Sequence, residues 1–428
     1  MKLRVGSAVL ICLITALDAR ATDQFPSSLD IESFEAAWQA IDESYFDPEF
    51  GGMDWPAIHA RYQALIHDAS DLGEYYRIMN DMVFELHRSH SAVIPPGNGG
   101  EFLPTTYASG SPGFEVRWLD GEAIVTSVKP NSAAASAGIQ GGFKIISIDG
   151  ERVVDTFARG VSFTAPPFND AGTKQSGNNA LLGNLYGETE STLVLTYEGE
   201  GGKQDTVHIV REARRGAPES GTGLPPCFLE FETRHLSESI GYIRFNMFHP
   251  ALNSEVEQAV ADFASSDGII LDLRGNPGGY LDAMVQVAQC FLSEQVVLVT
   301  LVMRDQSIGI EANPNHPAYS GKLVILVDAL STSGSEMLPI CLQMLGRASV
   351  VGERTQGAVT GSGMLSLPNG AVLMYPYIQT LAYDGTDPEG VGVLPDILVG
   401  LNRDELRLGI DSQLEAAIEL INAMCLAP

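Results

Sequence analysis

Residues 321–361 read GKLVILVDALSTSGSEMLPICLQMLGRASVVGERTQGAVTG. Leu323 to Val327 is an apolar run of the kind that forms a strand buried on both faces. A short polar loop follows and ends at Ser333. Met337, Ile340, Cys341 and Met344 then recur at helical spacing. A second apolar run, Ala348 to Val351, closes on Gly352-Glu-Arg-Thr355. Ser333 thus stands where a strand hands over to a helix. The free N–H groups and dipole of a helix start favour negative charge, which suits a nucleophile that must lose a proton. Ser333-x-x-Glu336 also reads as an ordinary capping box.

Working outward, further strands are expected at Ile240–Phe245, Gly268–Leu273, Val296–Val302 and Ala371–Tyr375. Helices near 251–264, 281–292 and 335–346 alternate with them, which predicts an α/β layered core with a partly parallel sheet. This unit spans 227–428, closed by a helix over 411–424 that starts at the capping box Ser412-x-x-Glu415. Residues 22–100 read as a helical region. Phe34, Trp38, Ile41 and Tyr45 make one apolar face, and Asp54 and Asp71-x-x-Glu74 start two more helices. The last of these runs into His87-Arg88-Ser89-His90, before the breaker run Pro95-Pro96-Gly97-Asn98-Gly99-Gly100.

Between these units, residues 101–215 carry alternating runs at Ala123–Val128 and Lys144–Ile148 and a short helix at Ala133–Ala137. The stretch resembles a PDZ domain. Gly113-Phe114-Glu115-Val116 stands where that family carries its carboxylate loop, which implies a β-barrel insert binding peptide C-termini at a sheet edge. Residues 162–190 read as a Gly/Asn-rich insertion, and Arg211–Pro226 as a linker. The fold expected overall is a multidomain α+β and α/β chain. With the candidate chemistry lying outside the PDZ-like unit, its removal is expected to leave Ser333 chemically competent.

The chain has 428 residues and a formal charge of −29. Its start reads as a signal peptide over 1–21, with Lys2 and Arg4, an apolar run from Val5 to Leu17, and Ala19-Arg20-Ala21 as the cleavage site. Cleavage would leave a charge of about −31, which excludes nucleic acid and anionic membranes as partners. The mature chain is expected to be soluble, in the periplasm or outside the cell. Cys227, Cys290, Cys341 and Cys425 remain there, with their pairing open; Cys290 and Cys341 sit in apolar helical patterns that favour buried free thiols. No Cys/His cluster points to a metal, and no cofactor is implied.

The run Gly268-Ile-Ile-Leu-Asp-Leu-Arg-Gly-Asn-Pro-Gly-Gly279 places a glycine-rich turn before a helix. It reads as a phosphate loop, an oxyanion hole, or a tight turn that needs glycine. A serine nucleophile needs a base, and Ser89-His90 at a helix end stands out among eight histidines. Four stretches then carry a resemblance: Leu271–Gly279, Ser333–Glu336, Gly352–Thr355 and Glu389-Gly-Val-Gly-Val-Leu-Pro-Asp396. In this order they resemble the tail-specific, or C-terminal processing, serine peptidase family. The lysine-dependent branch of that family carries its base where this chain has Ala358. The chain is more similar to the tricorn-core branch, which uses histidine.

The resemblance implies that Ser333 is the nucleophile, His90 the base, and Ser89 and Glu389 its orienting partners. It implies Gly279 and Gly334 as the oxyanion donors, with Gly278 as the alternative to Gly279. Protein or peptide substrates follow. The absent lysine leaves one competing reading, a non-catalytic peptide- or ligand-binding protein on the same fold.

Overall fold

The computed structural model describes residues 25–96, 108–163, 169–214, 218–219, 227–314 and 317–426. The expected signal peptide, residues 1–21, and the turn residues 97–100 lie outside these. Helices α1 (Ser28–Ser44), α2 (Trp55–His67) and α3 (Leu72–Phe84) each open on an oxygen-bearing cap: Ser27, Asp54 and Asp71. Such a side chain satisfies a backbone N–H that the helix itself cannot. Their apolar faces bury Phe34, Ile41, Trp55, Tyr75 and Met79 in one cluster, which also takes in Leu367, Ala371 and Leu373 from far along the chain. Strand β1 (Ala92–Ile94) leaves α3 and pairs antiparallel with a strand of the core, Val93 opposite Leu373. The segment carrying Ser89 and His90 is therefore fixed at both ends.

The second unit is a five-strand antiparallel path, β2 (Phe114–Leu119), β3 (Glu122–Val128), β4 (Lys144–Ile148), β5 (Thr192–Glu198) and β6 (Gln204–Val210). Two helices cover it, α4 (Val153–Phe163) and α5 (Asp170–Leu185). Within the Gly/Asn-rich insertion expected at 162–190, residues 170–185 form helix α5. Its glycines and asparagines have low helix propensity, and packing overrides them. A Cβ on Gly177 would lie 2.1 Å from the Phe157 ring, and Asn178 Oδ1 accepts from the Trp118 N–H at 2.9 Å. The linker also begins later than expected. Arg211 is buried and donates to the Leu185 and Asn184 carbonyls, while Glu212–Ala213 pairs with Gly110–Ser111.

The core holds β7 (Phe231–Ser237), β8 (Ile240–Phe245), α6 (Asn253–Asp262), β9 (Gly268–Asp272) and α7 (Leu281–Gln289). It continues with β10 (Val296–Met303), β11 (Gln306–Ala312), β12 (Lys322–Val327), α8 (Gly334–Met344) and β13 (Ser349–Gly352). Strands β14 (Gly361–Ser366), β15 (Val372–Leu381) and β16 (Ile397–Leu398) and helix α9 (Ser412–Leu426) complete it. The main sheet runs β7-β8-β9-β12-β13-β16, parallel from β8 onward. Side chains alternate across it. Leu271, Leu323 and Ile325 face helices α6 to α8, and Ile270, Val324 and Leu326 face α9.

Two of the expected strands belong elsewhere. Strands β10 and β15 join β1, β11 and β14 in a separate antiparallel sheet. Periodicity identifies a strand but not its partner, and here hairpin pairing decides the assignment. Cys290 and Cys341 are buried free thiols and Cys425 an exposed one; Cys227 is buried. Burial pushes the Cys290 and Cys341 thiols up to about 12.

Candidate active site

In open α/β sheets, sites form beyond the carboxyl ends of parallel strands. Three such ends meet here. Strand β9 runs into the glycine turn 274–279, β12 into the loop before Ser333, and β13 into residues 353–360.

Ser333 adopts φ 57°, ψ −116°. A residue other than glycine held there costs roughly 1–3 kcal/mol and persists only where its surroundings enforce it. The enforcement is visible. Its N–H donates to the Ala358 carbonyl at 3.0 Å and to Glu336 Oε2 at 3.0 Å. Glu336 is the residue that sequence reasoning assigned only to a helix cap. It is fully buried, and each of its oxygens accepts two hydrogen bonds. Oε1 takes the Thr355 hydroxyl at 2.5 Å and the Gly357 N–H at 2.6 Å; Oε2 takes the N–H groups of Ser333 and, at 2.9 Å, Ala358. Burial, only partly offset by these four donors, pushes the Glu336 carboxyl up to about 7. The signal for this role was the short polar run Gly352-Glu-Arg-Thr355, whose partner could not be read from the chain alone.

The glycine turn is held by Asn276, also fully buried. Its Nδ2 donates to the Phe245 carbonyl at 3.0 Å, its Oδ1 accepts from the Gly278 N–H at 2.9 Å, and its carbonyl accepts from Thr332. Gly278 lies against the nucleophile: a Cβ there would sit 2.7 Å from the Ser333 Cβ. The Gly278 N–H is thus already used. Gly279, at φ 138°, is exposed, and a Cβ on it would meet the Phe248 carbonyl oxygen at 2.2 Å. Among the described residues, nothing accepts from the N–H groups of Gly279 and Gly334. Buried Asp272 anchors the turn from behind by pairing with Arg274 at 2.6 Å, and Arg274 also holds Asp411.

Ser89, His90 and Glu389, some 300 positions apart in the chain, are brought together. Glu389 Oε1 accepts from the Ser89 N–H at 2.5 Å. Its Oε2 accepts from the Ser89 hydroxyl at 3.1 Å and from the N–H groups of Val359 and Thr360, each at 3.0 Å. Ser89 Oγ lies 3.0 Å from His90 Nδ1. The hydroxyl has one proton and gives it to Glu389, so Nδ1 carries the hydrogen that bonds Oγ. This tautomer leaves the Nε2 lone pair available as a base. Burial lowers the His90 pKa from its ordinary value and the Glu389 charge opposes that shift, so the ring is neutral at pH 7. Residues 358–360 connect the two halves: Ala358 holds Ser333, and its neighbours hold Glu389. Alongside, Arg88 pairs with Asp387 at 2.8 Å. Neither residue was singled out from sequence.

The four residues expected to bind peptide lie elsewhere, on the second unit. Gly113 donates its N–H to Ser111 Oγ at 3.1 Å, and Phe114 and Val116 are buried. Glu115 pairs with Arg244 at 2.8 Å. Burial works against the charged Glu115, but Arg244, Arg117 and Lys129 hold its carboxyl down at about 2.

Residues 239–399 match the sequence profile of peptidase family S41, and residues 32–84 that of the tricorn protease C1 domain. The chain carries a peptidase family S41 domain. Among its relatives, a carboxyl-terminal-processing protease of Picosynechococcus sp. is 27% identical over 397 residues, covering 90% of this chain and 87% of that one. The photosystem II D1 C-terminal processing protease shares the fold with a TM-score of 0.57 at 21% identity, over 88% of this chain and 95% of its own. Mature CPAF gives a TM-score of 0.62 at 14% identity, over 93% of this chain and 98% of its own. The protein is thus a serine-type peptidase acting on proteins or peptides. Ser333 and Glu389 lie inside the S41 match, while Ser89 and His90 fall just beyond the tricorn match. No helix among the described residues is long and apolar enough to cross a membrane.

Proposed function

We propose that this protein is an exported endopeptidase working through a Ser333–His90–Ser89–Glu389 tetrad. The observation that carries the reading is the continuous bond path from Glu389 through Ser89 to His90 Nδ1, which supports Nε2 as the base. Ser333 Oγ attacks the scissile carbonyl carbon while His90 Nε2 takes its proton. The imidazolium so formed is stabilised by Glu389 through Ser89. Charge developing on the carbonyl oxygen meets the N–H groups of Gly279 and Gly334, each contributing about 3 kcal/mol at the transition state. His90 then protonates the leaving amine, and a water repeats the sequence to release the acyl group and restore Ser333.

Ala358 is no obstacle to this scheme, because a histidine base needs no lysine at that position. The non-catalytic alternative rests on the missing lysine and on the lack of a hydrogen bond between Ser333 Oγ and the His90 ring among the described residues. The PDZ-like unit, in this reading, engages substrate C-termini through Gly113-Phe114-Glu115-Val116. A carboxylate there would have to replace Ser111 Oγ at the Gly113 N–H. Export is supported by the pattern of residues 1–21. The test is fluorophosphonate labelling followed by peptide mapping. Label is expected on Ser333, with at least a hundredfold slower labelling in His90→Ala, the low end for a lost general base. Label on another serine, or undiminished labelling of His90→Ala, would overturn the tetrad.

A further inference from the structure

The second unit reaches into the catalytic loops at several points. Arg117 of β2 pairs with Asp328 at 2.8 Å, and Asp328 also holds the N–H groups of Gly275 and Leu330. Leu330, three residues before Ser333, packs into the apolar core of the PDZ-like unit with Phe114 and Val116. Lys174 and Gln175 of α5 bind Glu353, at 2.6 Å, and the Thr332 hydroxyl. These contacts weigh against the expectation that the unit can be removed without affecting Ser333.

Asn169, the cap of α5, is placed at the junction of the two acid-bearing loops. Its Oδ1 accepts from the Gly172 N–H at 3.1 Å and caps the helix. Its Nδ2 points the other way and meets three carbonyls, Gln356 at 2.9 Å, Gly390 at 3.3 Å and Thr355 at 3.5 Å. An amide has two N–H bonds, and the two shorter contacts place one on each loop. Gln356 lies between Thr355 and Gly357, both donors to Glu336; Gly390 directly follows Glu389. The loops touch backbone to backbone beneath it, where the Gly390 N–H donates to the Gly357 carbonyl at 2.8 Å.

We propose that Asn169 is a positioning residue through which the PDZ-like unit clamps the Glu389 loop to the Glu336 loop and so sets the base against the nucleophile. The proposal rests on the tetrad reading for its effect on His90, but not for its effect on Ser333. Loop 355–358 is bound to Ser333 directly through Ala358, so loosening the clamp disturbs the nucleophile whichever group is the base. The unit then acts on turnover as well as on substrate capture.

One substitution separates the two functions of Asn169. Asn169→Asp keeps the oxygen that caps α5 and replaces the donor by an oxygen facing carbonyls. Asn169→Ser also keeps a capping oxygen and cannot reach the loops. The assay is cleavage of fluorescein-labelled casein against concentration and pH, with fluorophosphonate labelling of Ser333 run in parallel on the full chain. For both variants we expect an unchanged thermal unfolding midpoint and kcat lower by roughly ten- to a hundredfold, the scale of a small misplacement of reacting groups. KM should stay within about threefold, because the residue holds loops and not substrate. Labelling should slow in step with kcat. Normal kcat and labelling in Asn169→Asp, or a loss confined to KM, would overturn the proposal. If His90→Ala turns over normally, the tetrad falls, while slowed Ser333 labelling in Asn169→Asp still supports the clamp.

Discussion

Replacing Glu336 by glutamine should stabilise the protein in alkali while crippling it. Glutamine has the shape of the protonated acid. Burial raises the carboxyl to about 7 from an ordinary 4.5, so the native state binds this proton more tightly than the unfolded chain. Stability from the group is present in full below about pH 4.5 and is lost as pH rises through about 7. Between pH 5 and pH 8 the loss amounts to about 2.5 kcal/mol in the wild type, and the variant does not undergo it. The variant carries its own cost. Its amide nitrogen cannot accept a bond, so it must turn toward Thr355, whose hydroxyl can reverse, leaving the Gly357 N–H unpaired at about 1–2 kcal/mol. The difference in stability should therefore change sign: Glu336→Gln is the less stable form at pH 5 and the more stable at pH 8. Its kcat at pH 8 should nonetheless fall by roughly ten- to a hundredfold, because the charge-assisted bonds that hold Ser333 and Ala358 are gone. Urea unfolding at the two pH values measures the first effect and casein cleavage the second. A stability difference that is flat from pH 5 to pH 8 would refute the raised carboxyl. Wild-type kcat would refute the clamp on the nucleophile.

Four further outcomes follow from the same geometry. Activity should fall on the acid side in two stages, first as Glu336 takes its proton near about 7 and then as His90, lowered by burial, is protonated and can no longer accept the serine proton; kcat against pH measures both. His90→Ala should lose about 10²–10⁴-fold in kcat, and adding Ala358→Lys should not restore it, because a lysine base needs a pocket that keeps its amine neutral. Glu389→Gln should be milder than Ser333→Ala in the same casein assay, as it orients the base and does not react. Gly279→Ala should lower kcat on the order of 10²–10³-fold, the value of one oxyanion donor, because its methyl would drive into the Phe248 carbonyl and displace the N–H.

The relation between chain and site can be argued from these same residues. Ser333, the glycine turn 274–279 and the ends of β9 and β12 were legible because each is announced within a few residues. An apolar run ends, a turn residue follows, and a helical spacing begins. The helical start and most core strands were legible for the same reason. Helix α5 was not, since its glycines and asparagines are poor helix formers that only packing against Phe157 and Trp118 makes tolerable. Glu336 looked like a cap because the serine-to-glutamate spacing is local, whereas its other three donors come from 355–358. Asn169 gave no signal at all, and Asn276 and Arg88 lay inside legible stretches with nothing to mark their roles. What the sequence by itself determined is local: which segments are strands or helices, and where a hydroxyl meets a helix start. What only the tertiary structure decided is convergence. The register of the parallel strands and the docking of two other units bring Ser89 to Glu389 and Asn169 to both loops, and hydrogen bonds of about 3 Å cannot be read from residues hundreds of positions apart.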